Sequence, residues 1–205
     1  MSAIPEPALP TGMPAARDVA TPAREHLPGD ASVWVFVLGE MIIFAAYFAA
    51  YMFDRGRNHE LFRHSGQQLN LGMGVINTLT LLTSSLFVAM SVQSTRTGDV
   101  PAASRWLALG GACGVGFVVI KSLEWHAELT SGIFISTNAF FMHYYVMTGV
   151  HLFHVLLGLV ILVILWRELH GARAPRAQLM EIGASYWHAV DLLWIVIFAL
   201  LYLVR

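Results

Sequence analysis

The sequence predicts an all-α integral membrane bundle of five transmembrane helices, and three observations predict it. Charged residues make up 12% of the chain and hydrophobic residues 57%, where a soluble domain carries about 25% charged residues. Five stretches, about 31–53, 71–94, 103–127, 139–166 and 182–204, are apolar along their length. Each reaches the roughly 20 residues that a helix needs to cross a hydrocarbon core about 30 Å thick. Charges or turn formers close them: Asp54-Arg55-Gly56-Arg57, Arg96-Thr97-Gly98-Asp99, Thr130-Ser131-Gly132, and the segment from Arg167 to Glu181. Barrel strands would be near ten residues and alternating, and a soluble bundle would not be apolar on nearly every helix face.

Ahead of the spans, residues 1–30 differ in kind. Six of the eight prolines fall there, mixed with Ala and scattered charges, and no basic segment precedes an apolar one. This reads as a disordered cytoplasmic tail, not a cleavable signal peptide. Orientation follows from the basic residues flanking the spans. With the N-terminus inside, Arg17, Arg24, Arg96, Arg105, Arg167, Arg173 and Arg176 lie on the cytoplasmic side. Only Arg55, Arg57, Arg63 and Arg205 lie on the other, so the C-terminus is periplasmic. A net charge of −1 supplies no basic surface for nucleic acid, and the single cysteine, Cys113, excludes a disulfide framework or thiolate metal cluster.

Ionisable residues within a span cost about 2.5–3.5 kcal/mol each on insertion scales, so each needs a partner or a cavity. Glu40 lies nine residues into the first span and reads either as a protonated carboxyl bonded to a neighbouring helix or as an ion-pathway residue. Asn77 and Thr78 open a polar patch in the second span that continues through Thr80, Thr83, Ser84 and Ser85. The third span ends with Lys121, Glu124, His126 and Glu128, and carries small residues from Gly110 to Gly116 that permit close helix approach. Lys121 and Glu124, three apart near the outer boundary, are expected to pair locally and snorkel. The fourth span holds His143, His151 and His154. The i, i+3 spacing of the last two permits metal ligation. Bulky neighbours (Leu152, Phe153, Val155) and a lone His188 opposite favour interhelical hydrogen bonding instead. In the fifth span His188 and Asp191, beside Trp187, are expected to form one bonded unit or to reach the Asn77 patch. Trp34, Trp106, Trp125, Tyr144, Tyr145, Trp166, Tyr186 and Tyr202 suit the interfacial belts.

Taken in order across residues 28–205, these motifs resemble subunit III of the haem–copper oxidases. The resemblance rests on Gly39-Glu40, on Asn77-Thr78 with Leu81-Leu82 and Ser84-Ser85, and on Glu124. It rests further on Thr148-Gly149-Val150-His151-Leu152-Phe153-His154-Val155 and on Tyr186-Trp187-His188-Ala189-Val190-Asp191-Leu192-Leu193-Trp194. Many family members have seven helices, and this chain matches the last five, which leaves the phospholipid cleft of the longer form in doubt. The oxidases usually place Gly between the paired histidines, where this chain has Leu152-Phe153. That departure, with Leu27-Pro28-Gly29-Asp30 and Lys121-Ser122-Leu123-Glu124, is more similar to the NorE-type accessory proteins of nitric oxide reductase.

The resemblance implies a non-catalytic subunit of the bacterial inner membrane that supports assembly or activity of a respiratory complex, on this reading nitric oxide reductase in denitrification. Catalytic and metal-ligating residues are expected to be absent. Haem and copper or iron would sit only in partner subunits, chiefly a subunit I-type protein, and structural phospholipid is the ligand left open. Glu40, Asn77, Lys121, Glu124, His151, His154, Trp187, His188 and Asp191 would fix helix register. The alternative is a subunit III of an oxygen-reducing cytochrome c or quinol oxidase. More remote are a stand-alone cytochrome ligated by His151 or His154 with His188, and a transporter.

Overall fold

The computed structural model describes residues 31–171 and 176–204; the predicted tail, 1–30, lies outside the described residues. Six α-helices follow one another: α1 (Ala31–Arg57), α2 (His59–Gly66), α3 (Leu71–Arg96), α4 (Val100–Thr130), α5 (Ala139–Leu169) and α6 (Ala177–Phe198). A π-helical turn, Ala199–Leu203, continues α6. No strand occurs among the described residues. Four helices are long and apolar enough to cross a membrane: Leu71–Arg96, Val100–Thr130, Ala139–Leu169 and Ala177–Leu203. The chain is a multi-pass membrane protein.

Local chemistry sets the helix starts. Asn70, Asp99 and Asn138 each accept from a backbone N–H three residues on, at Met73, Ala102 and Phe141, satisfying donors that a helix N-terminus leaves free. Pro101 sits in the first turn of α4, where its missing N–H costs nothing. The α3–α4 turn needs Gly98, whose φ of 80° falls in the left-handed region.

The helices α3, α4, α5 and α6 close into a ring in which each packs on the next, and α1 lies outside it against α5 and α6. Large apolar side chains cover the outside, among them Leu79 and Leu86 on α3, Val119 on α4, Phe153 and Val160 on α5. The centre, by contrast, holds Asn77, Ser84, Ser91, Lys121, Glu124, His151 and Asp191. Polar groups inside and apolar groups outside is the distribution that lipid demands.

Small residues permit the closest approaches. The Trp187 ring is held between Gly114 and Gly158, where an added Cβ would come within 2.7 Å of ring atoms on either side. Gly110 lies against Val88 and the Ser84 carbonyl, and Gly183 against Leu165.

Two expectations about the elements are corrected. The segment up to Glu181 is not all connection, because α6 begins at Ala177 and Glu181 pairs with Arg96 at 2.7 Å. The eight-residue α2 was not expected; it buries Phe62 against Tyr51 and Phe140, and Asn138 donates to its Ser65 at 3.0 Å. On its exposed face Arg63 bonds Glu60 at 2.9 Å and holds that carboxyl below its ordinary range.

Candidate functional site

The interior polar residues fall into separate groups at different depths. At the end of the bundle that carries α2, Lys121 on α4 is wholly buried, and three acceptors surround its ammonium. They are Glu124 Oε2 at 3.2 Å, the Tyr144 hydroxyl at 3.2 Å and the Tyr202 hydroxyl at 2.9 Å. Glu124 Oε1 in turn accepts from Tyr144 at 3.0 Å and from Tyr202. One ammonium, one carboxylate and two phenols thus form one hydrogen-bonded set. The rings of Tyr144, Trp194 and Tyr202, at 4.6, 5.4 and 5.5 Å from Nζ, enclose the cation.

This arrangement corrects two expectations. Lys121 pairs with Glu124 but does not snorkel, because α4 continues nine residues beyond it to Thr130. Tyr144 and Tyr202, assigned to the interfacial belts, are buried because their hydroxyls complete the cluster, and Tyr186 is buried also. Trp34 lies outside the residues whose side chains are described.

Near mid-depth, Glu40 on α1 meets His154 on α5 at 3.1 Å. The other ring nitrogen of His154 lies 2.8 Å from the Val150 carbonyl, which can only accept, so Nδ1 carries a proton. The Nε2–Glu40 contact therefore requires one further proton, shared as a carboxylic acid donating to imidazole or as a carboxylate facing imidazolium. Glu40 is 28% exposed, and His154 is buried. Closer to α2, His143 lies 2.9 Å from Asp54 and 3.2 Å from the Tyr47 hydroxyl. A neutral ring satisfies both by donating to Asp54 and accepting from Tyr47. With the Tyr51 hydroxyl donating to the Leu200 carbonyl at 3.1 Å, these bonds fasten α1 to the ring of helices.

Trp187 Nε1 donates to Ser84 at 3.1 Å, and Ser84 donates to the Gly110 carbonyl at 2.7 Å, joining α6, α3 and α4. Trp194 Nε1 donates to Thr78 at 3.0 Å. His188 and Asp191 do not bond each other directly. Both face Ser85, with His188 Nδ1 at 2.6 Å, and neither reaches Asn77. His151 makes no interhelical hydrogen bond, contrary to expectation; its ring packs on Phe117 and Trp194, with centroids 5.6 and 5.2 Å away.

The sequence did not reveal the roles of Tyr144, Tyr202 and Gly158, or the pairing of His143 with Asp54. The phenols carry a usable signal only once Lys121 is known to be buried, since a buried ammonium needs acceptors for its three donors. Among the described residues no group of three or more His, Cys, Asp or Glu is arranged to hold a metal ion.

Residues 29–204 match the family model of cytochrome c oxidase subunit III. The chain belongs to the cytochrome c oxidase subunit III family. Among its relatives, the cytochrome c oxidase subunit 3 of Thermostichus vulcanus is 35% identical over 172 residues, covering 82% of this chain and 84% of that protein. The subunit 3 of Synechocystis is 31% identical over 175 residues, 83% of this chain and 73% of its own length. That of Corynebacterium diphtheriae is 28% identical over 198 residues, 92% and 97% of the two chains. The matched region runs from the start of α1 to the end of the π turn and contains every polar group described above.

Proposed function

We propose that the chain is a non-catalytic subunit III of an oxygen-reducing haem–copper oxidase, holding no haem or copper and packing against the catalytic subunit I. The observation that carries this reading is the match of residues 29–204 to cytochrome c oxidase subunit III; of the intramembrane histidines, His143, His154 and His188 are engaged by protein groups, whereas His151 is not. Both ring nitrogens of His154 and of His143 have protein partners, and Nδ1 of His188 has Ser85. Relatives named cytochrome c oxidase subunit 3 support the oxygen-reducing partner. The nine residues Glu40, Asn77, Lys121, Glu124, His151, His154, Trp187, His188 and Asp191 then serve helix register and assembly, not chemistry.

On the same reading α1 is a fifth membrane span. Its 27 residues exceed what a bilayer core requires, and Val35, Leu38, Ile42 and Ile43 face outward. The N-terminus lies in the cytoplasm and the C-terminus in the periplasm of a bacterial inner membrane, as the arginine distribution supports. Structural phospholipid is the ligand proposed for the outer surface, where Leu107, Gly111, Val115, Leu159, Val163 and Trp166 line an apolar groove of about 280 Å³.

A second reading makes the chain a NorE-type accessory protein of nitric oxide reductase. Leu152-Phe153 favours it: this bulky pair stands between the paired histidines, where oxidases usually have Gly, and Phe153, 64% exposed, alters the surface a partner would meet. Affinity capture of the tagged chain from mildly solubilised membranes, with partners identified by mass spectrometry, separates the two. Oxidase subunits I and II are the expected recovery. Nitric oxide reductase subunits would overturn the oxidase reading and retain the accessory one.

A further inference from the structure

Two side chains at the centre of the bundle have their hydrogen-bonding capacity unmet. Asn77 Nδ2 and Oδ1, and His151 Nδ1 and Nε2, are buried without a protein partner, and both residues are wholly inaccessible. Both lie at the level of Trp194. The His151 ring packs on it, and Asn77 adjoins Thr78, which accepts from its Nε1. Phe117 of α4 touches both His151 and Trp194, and the antiparallel α3–α4 register, fixed by Ser84 on Gly110 and Ser91 on Ala103, brings Asn77 to the level of Phe117.

Each unmet buried donor or acceptor costs about 1–3 kcal/mol. Four such atoms at one level of one bundle would be selected against unless something satisfied them. Their chemistry is complementary: an amide donor, an amide acceptor and a neutral imidazole offering one of each. The occupant that fits is small, neutral and both donor and acceptor, with two to four polar partners, which describes water.

We propose that Asn77 and His151 form an internal water site beside Trp194, lodged in the membrane interior of this subunit. Asp191, whose Oδ1 is likewise buried without a partner, lies one helical turn before Trp194 and extends the site toward Ser85 and His188. Toward the α2 end, Lys121 faces the same Trp194 ring at 5.4 Å, and Glu128 stands one turn beyond Glu124. Water held at this site exchanges with bulk water and so brings solvent protons to His151, although the residue is wholly buried.

Water-edited solid-state NMR on the full chain in lipid vesicles tests this, with bulk water protons as the probe. Val150–His151 is the only Val-His step in the sequence, so carbonyl-labelled valine with ¹⁵N-histidine assigns His151 without a mutation. The expected result is transfer from water to the His151 ring nitrogens at a rate comparable with that of exposed His59 and His64, slowed several-fold by Asn77→Leu while His143 is unaffected. Slow transfer to His151 in the unmutated chain would overturn the proposal and does not depend on any variant folding. A direct Asn77–His151 bond, seen as a ring ¹⁵N shift on Asn77→Leu without water transfer, would overturn it as well.

Discussion

Removing both charges of the Lys121–Glu124 pair should destabilise the chain no more than removing either one alone. Glu124→Leu deletes the acceptor of three bonds, leaving the Lys121 ammonium with two phenol oxygens and both phenols without their carboxylate. Lys121→Met leaves the carboxylate without its counter-charge inside an aromatic enclosure. Breaking a buried ion pair by deleting one partner costs about 3–5 kcal/mol, whereas replacing both by apolar residues is close to neutral. In the double variant Tyr144 and Tyr202, already neighbours, can bond each other. Each single substitution is therefore expected to lower the unfolding free energy by about 3–5 kcal/mol, and the double variant to lose no more than either single. Reversible unfolding in mixed detergent micelles, followed by tryptophan fluorescence, completes the cycle. Strictly additive losses would refute the reasoning, since they would mean that the two residues do not share one electrostatic unit.

Gly158→Ala should cost about 1–3 kcal/mol, because the Trp187 ring cannot yield toward Gly114 on its other side; Trp187→Phe in that background should recover part of the loss in the same unfolding assay. Glu40→Gln should be nearly neutral, since an amide donates to His154 Nε2. Glu40→Leu should lose about 1–3 kcal/mol, read as faster protease cleavage between α1 and α3. Tyr51→Phe, which frees the Leu200 carbonyl, should lower stability by about 0.5–1.5 kcal/mol. Arg96→Ala should change stability by less than about 1 kcal/mol, and by nothing measurable at high salt, because its pair with Glu181 is solvent-facing.

The helices were readable from the sequence because lipid imposes a demand that hydropathy reports directly: a polar backbone must be bonded within an apolar segment of sufficient length. The turns were readable from Gly98 and Gly132, both with φ near +80°. What the charged end of the third apolar stretch concealed was the burial of its charges inside the bundle. Lys121, Glu124 and Glu128 look like a boundary in one dimension, yet they recur at intervals of three and four and face inward together. Hydropathy cannot separate a charge that ends a span from one that is paired inside it. The same limit hid the two tyrosines, whose type suits an interface and whose hydroxyls instead bind an ammonium. His154 was correctly read as an interhelical contact, but nothing in the sequence distinguished it from His151, one helical turn away, because the difference lies in which neighbour each meets. The short α2 escaped because eight residues rich in charge and histidine are too few and too polar to register as a span, although Phe62, Ser65 and Gly66 fall on one buried face.

On the proposed function this subunit supports a haem–copper enzyme without holding its cofactors. The most direct test is the haem and copper content of the respiratory complex purified with and without this chain. Identical haem and copper per catalytic subunit in both preparations is the expected result. A haem or copper lost in step with the chain would contradict it.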